Sequence, residues 1–210
     1  MRIKAGAGEA WVEHKRPALA SAFPKRMLSP MLAIVPVKGG SGAKSRLASL
    51  LTPAERAQLV EEMLDRVLVA CREARSITRT LLVTPAPGAA RADVDVLVDA
   101  GSGHADAVTL ALADERSARG ALVVMADCPL VTGEALDELA AEARPLALAP
   151  AADGGVNALA LADPRAFTPV FGTSAAAMIT AAHGAGLDPA VVRDARLELD
   201  IDRPEDLARV

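Results

Sequence analysis

The chain has 210 residues, of which 51% are hydrophobic and 24% charged, a composition typical of one globular domain with a sizeable core. Its net charge of −4 excludes a broad nucleic-acid surface, which would need clustered lysine and arginine. No apolar run approaches the roughly 20 residues of a membrane span, so we expect a cytoplasmic protein without a membrane partner, whose cysteines stay reduced.

The first thirty residues mix Gly, Ala and Pro with scattered Lys and Arg, and they show no sustained periodicity. We therefore predict a flexible N-terminal extension over 1–30 and a single domain over 31–210. Met27 and Met31 directly precede the first strong strand pattern, so a later start codon is an alternative to a functional extension.

Beyond this extension, strand and helix patterns alternate along the chain. Thr52-Pro-Ala-Glu55 is typical of a helix start, because it offers a capping residue, a proline at the first helical position and a glutamate at the third. The predicted strands cover 31–37, 80–84, 94–98, 121–125, 146–150, 158–161, 191–192 and 197–200. The predicted helices cover 52–74, 104–118, 133–143, 174–185 and a last helix from 203.

This alternation predicts an α/β fold, in which an open, mostly parallel, Rossmann-like sheet carries helices on both faces. Ligands of such sheets bind beyond the carboxyl ends of the strands. We therefore expect the functional residues to lie on the loops that follow strands.

The loop after the first predicted strand combines glycines with cations. Its glycines, Gly39 and Gly40 among them, let the backbone approach a polyphosphate. Lys38, Lys44 and Arg46 supply positive charge to neutralise that ligand. The loop lacks the Gly-Lys-Ser/Thr ending of a P-loop, and the alternative interpretation is a solvated turn with ordinary surface lysines.

Three aspartates lie at the ends of other predicted strands. Asp127 directly follows one of them, where a carboxylate is well placed to bind magnesium, and its alternative role is to cap a turn. Asp200 and Asp202 alternate along another strand end, so one of them can be a second metal ligand. Asp202 also precedes Pro204, and its alternative role is to cap the last helix.

Asp153-Gly-Gly-Val-Asn157 lies between two predicted strands, where exposed Gly-Gly amides and the Asn157 side chain could hold an acid or a phosphate. The alternative is a hairpin turn. His14, His104 and His183 are widely scattered without carboxylates or cysteines at ligand spacing, so we interpret them as surface or incidental residues and not as a zinc site.

Together these motifs resemble the 2-phospho-L-lactate guanylyltransferase family, from about Leu32 to the C-terminus. The resemblance implies a nucleotidyltransferase fold of the GT-A-like type, GTP and magnesium as ligands, and a possible homodimer. It implies transfer of GMP to 2-phospholactate, phosphoenolpyruvate or 3-phosphoglycerate in coenzyme F-420 biosynthesis. The motifs that carry it are Lys38 with 43–47, Asp127 before Pro129-Leu130, 153–159, Phe171-Gly172 and 199–207.

The resemblance also assigns roles to individual residues. Lys38, Lys44 and Arg46 would contact the triphosphate and the acceptor phosphate, and Asp127 would join them in catalysis. Asp127 and Asp202 would bind magnesium. The nucleotide would contact Gly39, Gly40 and Asp106, and the acceptor acid would contact Asp153, Gly154, Gly155, Asn157, Gly172 and Ser174.

Two segments depart from the family pattern. Gly103-His-Ala-Asp106 stands where the family carries Gly-Leu-Asn, so the usual Asn contact to the nucleotide is absent or replaced by Asp106. Phe171-Gly-Thr-Ser174 is one residue shorter than the family's Phe-Gly-x-Gly-Ser loop, which changes the groups that can meet an acceptor. Two alternatives remain, a molybdopterin-type nucleotidyltransferase and a non-catalytic nucleotide-binding relative.

Overall fold

The fold was analysed in a computed structural model that describes residues 29–37, 44–86, 88, 91–101, 103–117 and 119–210. Most of the predicted N-terminal extension, residues 1–28, lies outside the described residues. The same holds for Lys38, Gly39 and Gly40 of the predicted polyphosphate loop.

The described residues form one seven-stranded sheet in the order β3-β2-β1-β4-β6-β5-β7. Strand β6 pairs antiparallel with β4 and β5, whereas the other neighbouring strands pair in parallel, which confirms the predicted mostly parallel sheet. The strands are β1 (Met31–Pro36), β2 (Ile77–Thr84), β3 (Asp95–Val98), β4 (Ala121–Val124), β5 (Leu146–Pro150), β6 (Val156–Leu161) and β7 (Ala190–Val191).

Five α-helices connect or follow these strands within the described residues, and none of them is long and apolar enough to cross a membrane. Helix α1 begins with the predicted capping box, in which Thr52 Oγ1 accepts from the Glu55 amide and Glu55 accepts from the Thr52 amide. The helices are α1 (Pro53–Glu73), α2 (His104–Leu112), α3 (Gly133–Glu142), α4 (Ala175–Gly184) and α5 (Ala195–Glu198), with 3-10 turns at Ser45–Leu47, Glu115–Ser117 and Pro204–Arg209.

Two predicted elements are wrong. The helix predicted over 104–118 ends at Leu112, where the Ser117 hydroxyl donates to the Leu112 carbonyl. A 3-10 turn follows, closed by the Ser117 amide donating to the Asp114 carbonyl at 3.0 Å. The strand predicted over 197–200 is replaced by α5 and a short extended segment. Asp194 caps α5 by accepting from the Arg196 amide at 2.8 Å, which starts a helix where hydrophobic alternation indicated a strand.

The core lies on both faces of the sheet. All six residues of β1 are buried, a pattern typical of a central strand covered on both sides. Because only 2% of the residues are aromatic, aliphatic side chains such as Ile34, Leu122 and Leu148 fill this core, and each of these three is fully buried. The resulting rigid sheet holds the loops at its carboxyl edge.

Helices α1 and α3 pack closely against each other. A Cβ atom at Gly133 would lie 2.7 Å from the Ala74 nitrogen, so only glycine permits this approach. The buried Asp137 on α3 accepts from the Ser76 amide at 2.8 Å and from Arg75 Nε at 2.9 Å. These contacts fix α3, which directly follows the Asp127 loop, against the end of α1.

We expect Asp137→Ala to lower the free energy of unfolding by about 2 kcal/mol, because it leaves the buried Ser76 amide without its acceptor. Burial alone would raise the pKa of Asp137, but hydrogen bonds from Ser76 and Arg75 outweigh burial and lower it. The stabilisation is therefore complete above the unfolded-state pKa of about 3.9 and is lost as pH falls through the lower folded-state pKa.

Urea denaturation of wild type and Asp137→Ala between pH 7 and pH 3 measures the difference between their free energies of unfolding. This difference should become smaller below about pH 4. The matched control is Arg75→Ala, which removes the exposed partner only and should cost less than about 1 kcal/mol. If the difference in the free energy of unfolding between wild type and Asp137→Ala does not change with pH, the ionised Asp137 carboxylate is not the stabilising group.

Candidate active site

A cavity of about 490 Å³ opens at one edge of the sheet. The carboxyl ends of β1, β4 and β5 lie at this edge, together with the amino end of the antiparallel β6. Its lining includes Pro36, Val37, Lys44, Val60, Met63, His104, Met125, Asp127, Ala151, Asp153, Gly155, Asn157, Phe171, Gly172, Thr173, Asp200 and Asp202. The cavity therefore lies where the sheet topology predicts a ligand site.

Three carboxylates meet in this cavity. Asp127 follows β4, whereas Asp200 and Asp202 lie on the extended segment after α5. The Ile201 amide donates to the Asp127 carbonyl at 3.2 Å and holds the two segments together. One oxygen from each of the three carboxylates lies within 4.8 Å of the others.

Lys44 lies between two of these carboxylates. Its Nζ donates to Asp127 at 2.6 Å and to Asp202 at 2.8 Å, and only 9% of its side chain is exposed. Burial opposes the charge on Lys44, but the neighbouring carboxylates outweigh burial and raise its pKa, so it stays an ammonium. Lys44 adopts the left-handed backbone conformation at φ 55°, a strained state for a residue other than glycine that is frequent at functional sites.

Arg46 contacts the same cluster from outside. Its Nη1 lies 3.3 Å from Asp202, and 65% of its side chain is exposed. Asp202 is thus paired with both cations and is not the cap of the last 3-10 turn, whose N-cap is Arg203. At that turn, the Asp206 side chain instead accepts hydrogen bonds from the amides of Asp202 and Arg203.

Asn157 is buried behind the carboxylates. Its Nδ2 donates to the carbonyls of Leu197 and Glu198 at 2.9 and 3.2 Å, and it lies 3.4 Å from Asp200 Oδ1. This side chain therefore ties β6 to the segment that carries Asp200 and Asp202. Its amide is directed at protein atoms, whereas the sequence had suggested contact with the acceptor acid.

Asp200 is a half-buried carboxylate of this cluster with a raised pKa. Burial and the negative charge of Asp127 raise the pKa of Asp200 to about 6, against the lowering effect of the Asn157 hydrogen bond. A bound cation would favour its ionised form, because an opposite charge stabilises a carboxylate.

The carboxylate cluster fits a hard divalent cation such as magnesium. Such ions take oxygen ligands, and three carboxylates this close together require positive charge among them. Among the residues that the structure describes, no histidine or cysteine belongs to a cluster of this kind, so the donor set does not favour zinc. The residues that could hold magnesium are Asp127, Asp200 and Asp202.

The segment between β5 and β6 is a hairpin loop, as the alternative interpretation proposed. The Gly155 amide donates to Asp153 Oδ1 at 2.9 Å, and the Gly154 amide donates to the Ala151 carbonyl at 3.0 Å. The expectation that these amides are free to face a ligand is therefore wrong for this conformation. Asp153 and Gly155 line the cavity, whereas Gly154 does not belong to its lining.

The loop before α4 forms another wall of the cavity. Phe171, Gly172 and Thr173 line it, and the Thr173 hydroxyl donates to the Val170 carbonyl at 2.6 Å. Ser174 does not belong to the lining, because its hydroxyl caps α4 and accepts from the Ala177 amide at 3.2 Å. Of the two predicted acceptor contacts in this loop, only Gly172 lies at the cavity.

The start of α2 carries two residues considered in the sequence analysis. His104 lines the cavity, whereas the His183 side chain is exposed near the end of α4 and His14 is outside the described residues. Asp106, the predicted nucleotide contact, is exposed on the first turn of α2 and does not belong to the lining.

Both cysteines are buried and free. Burial raises the pKa of the Cys71 thiol to about 12. Burial, with the negative charges of Asp127 and Asp200, also raises the pKa of Cys128 well above its usual value. Neither thiol is a competent nucleophile at neutral pH.

Residues 31–210 match the family described as "Guanylyl transferase CofC like". The chain belongs to this family. A phosphoenolpyruvate guanylyltransferase of Sphaerobacter thermophilus is 42% identical over 187 residues, which cover 84% of this chain and 90% of that protein. The match confirms the resemblance inferred from the sequence motifs and makes the chain a nucleotidyltransferase of the guanylyltransferase type.

Other relatives of this guanylyl transferase are named after substrates other than phosphoenolpyruvate. A 3-phospho-D-glycerate guanylyltransferase of Phenylobacterium zucineum is 38% identical and covers 85% of this chain and 88% of its own. A 2-phospho-L-lactate guanylyltransferase of Haloarcula marismortui is 36% identical and covers 86% of this chain and 85% of its own.

Solved structures confirm the fold of this CofC-like transferase. A nucleotidyl transferase from Methanothermobacter has a TM-score of 0.59 at 18% identity, covering 85% of this chain and 95% of its own. A Mycobacterium tuberculosis H37Rv protein in complex with manganese has a TM-score of 0.51 at 18% identity, covering 86% of this chain and 97% of its own.

The structure of this family member extends the predicted site. The sequence predicted one of Asp200 and Asp202 as a second metal ligand, whereas both belong to the carboxylate cluster, since alternate residues of an extended segment share one side. His104 and Thr173 also line the cavity. No local pattern marks these two, because His104 reaches the cavity from the start of α2 and Thr173 from the loop before α4.

Proposed function

We propose that this chain transfers GMP from GTP to the phosphate of a small phosphorylated carboxylic acid and releases pyrophosphate. The observation that carries this proposal is the convergence of Lys44, Asp127, Asp200 and Asp202 in one cavity at the carboxyl edge of the sheet. The proposed setting is the cytoplasm, and the proposed pathway is coenzyme F-420 biosynthesis.

The cations of the site suit a polyphosphate. Lys44 is held at the cavity as a buried ammonium, and Arg46 lies beside it with an exposed guanidinium. Lysine binds phosphate as a point charge, while arginine can donate two hydrogen bonds in parallel. We assign both residues to the phosphates of GTP and the acceptor, with Lys38 as a further proposed contact.

The proposed reaction needs no general base. A phosphate oxygen of the acceptor attacks the α-phosphorus of GTP, the new oxygen–phosphorus bond forms, and the bond to the β-phosphate bridging oxygen breaks. Pyrophosphate leaves with the bonding electrons. An ionised phosphate is already a nucleophile, so the protein accelerates the step by positioning the reactants and neutralising their charge.

The carboxylate cluster supports magnesium as the cofactor. Asp127, Asp200 and Asp202 would hold it, with Asp200 added to the two ligands that the sequence indicated. Magnesium, when bound, neutralises triphosphate oxygens and stabilises the charge that develops on the leaving pyrophosphate.

The acceptor is proposed from the relatives together with the cavity. The names of three relatives indicate phosphoenolpyruvate, 3-phospho-D-glycerate and 2-phospho-L-lactate. Each of these small acids carries both a phosphate group and a carboxylate. The wall formed by Asp153, Gly155, Gly172 and Thr173 is the proposed acceptor side. We propose a phospho-acid of this class, and a homodimer stays a prediction that sedimentation would test.

The proposed function predicts pyrophosphate release that requires GTP, magnesium and a phospho-acid together. Purified protein is incubated with each of four nucleoside triphosphates and each of the three acceptors, and pyrophosphate is measured with a coupled assay. Mass spectrometry then identifies the joined product. Turnover with GTP should exceed turnover with the other nucleotides for at least one acceptor.

Reactions lacking the acceptor control for simple hydrolysis of the nucleotide. Release that is equally fast without any acceptor would contradict transfer to a phospho-acid. Release that is as fast with CTP or another nucleotide as with GTP would contradict the guanine preference and leave nucleotidyl transfer intact.

A further inference from the structure

Lys44 is a buried cation at the cavity and also a partner of two proposed metal ligands. Its Nζ lies 2.6 Å from Asp127 and 2.8 Å from Asp202. These distances are those of charge-assisted hydrogen bonds, so the ammonium already neutralises part of the negative charge that a divalent ion would neutralise.

From this geometry we infer that Lys44 is an internal counter-ion that competes with the divalent cation for Asp127 and Asp202. The inference rests on the proposed function, because it concerns the same metal and the same triphosphate. While Lys44 bridges the two carboxylates, the cluster binds a free divalent ion weakly.

The nucleotide reverses this competition. A triphosphate in the cavity offers Lys44 another set of anionic oxygens, and the ammonium can exchange Asp127 and Asp202 for them. The freed carboxylates then bind the ion more tightly. Nucleotide and metal are thereby coupled through one side chain, and each raises the affinity of the other by the same factor.

The backbone of Lys44 restricts where this exchange can occur. Lys44 is the residue directly before the Ser45–Leu47 turn, and Leu47 is fully buried in a small cluster with Leu199 and Ile201. The Ser45–Leu47 turn that follows Lys44 and the segment that carries Asp200 and Asp202 are therefore anchored in the same apolar cluster. The side chain can move between carboxylate and phosphate while its Cα stays in place.

Manganese binding to the nucleotide-free protein tests the inference, with free Mn²⁺ measured by electron paramagnetic resonance. We expect Lys44→Met to bind Mn²⁺ at least about tenfold more tightly than wild type, because three carboxylates lose their internal counter-ion. Lys44→Arg keeps the charge and should stay within about threefold of wild type.

Arg46→Met is the matched control, since it removes the same charge from the same cluster at an exposed position. It should change the Mn²⁺ affinity by less than about threefold, because exposed ion pairs are weak. Thermal unfolding serves as a second readout, in which saturating Mn²⁺ should raise the Tm of Lys44→Met more than that of wild type.

The coupling is measured by repeating the titration with α,β-methylene GTP, after correction for Mn²⁺ held by the free analogue. The analogue should strengthen Mn²⁺ binding more in wild type than in Lys44→Met. An equal gain in both proteins would overturn the coupling.

Equal or weaker Mn²⁺ binding by Lys44→Met would overturn the competition. Asp127→Asn separates this result from a failure of the proposed function. If Asp127→Asn binds Mn²⁺ less tightly than wild type while Lys44→Met is unchanged, the metal site stands and the counter-ion role is wrong. If Asp127→Asn binds as tightly as wild type, the metal site itself is wrong, and the inference fails with it.

Discussion

Asp127→Asn is expected to reduce guanylyl transfer on the order of 10³-fold while the protein stays folded. The neutral amide keeps the shape of the side chain but removes the negative charge that lies 2.6 Å from Lys44 and beside Asp200 and Asp202. Loss of that charge weakens cation binding and also leaves Lys44 with one carboxylate partner. Steady-state pyrophosphate release at saturating magnesium and GTP measures the effect.

Asp163→Asn is the control for this substitution. Asp163 is exposed at a turn beyond β6, where its Oδ1 accepts from the Arg165 amide, and an asparagine can keep that hydrogen bond. The guanylyl transfer activity of Asp163→Asn should equal that of wild type. Turnover by Asp127→Asn within about tenfold of wild type would rule out Asp127 as a ligand of the catalytic cation.

Asn157→Asp is expected to lower the free energy of unfolding by about 3 kcal/mol and to reduce turnover as well. The substitution is nearly isosteric, but it replaces a donor with a carboxylate that faces the carbonyls of Leu197 and Glu198 and the Asp200 side chain. Repulsion there should displace the segment carrying two proposed metal ligands. Urea denaturation and the pyrophosphate assay measure the two effects.

Asp153→Asn, in the same hairpin, is the matched control for stability. Asp153 is exposed and accepts from the Gly155 amide, and an asparagine oxygen can accept the same hydrogen bond. Its free energy of unfolding should stay within about 0.5 kcal/mol of wild type. If the free energy of unfolding of Asn157→Asp equals that of wild type, the buried Asn157 amide does not anchor the 197–200 segment.

The two effects of Asn157→Asp connect the fold to the site. Asn157 contacts the segment after α5 from β6, and the Ala152 amide also donates to the Glu198 carbonyl at 2.8 Å. The C-terminal carboxylates are thus held by the β5–β6 hairpin through hydrogen bonds. Asn157, which sequence reasoning assigned to substrate binding, thus anchors this segment from β6 and lines the cavity beside it.

Several features follow from short stretches of the chain. The capping box at Thr52 and the apolar pattern of β1 depend on neighbouring residues only, so propensity and hydrogen-bonding chemistry predict them. The positions of Asp127 and Lys44 on strand-end loops follow in the same way, since every parallel strand presents its carboxyl end to one edge. These local rules were sufficient for the fold class, and they indicated that Asp127 and Lys44 lie at the same edge of the sheet.

Other features depend on residues far apart in sequence. Lys44 and Asp202 are separated by 158 positions, and their contact requires the packing of the Ser45–Leu47 turn against the C-terminal segment. The inward hydrogen bonds of the Gly154 and Gly155 amides arise from how the hairpin closes. The cap at Asp194 starts α5 where hydrophobic alternation over 197–200 indicated a strand. Periodicity carries no information on such contacts, because they are selected by the free energy of the whole packed core and by the closure of each loop.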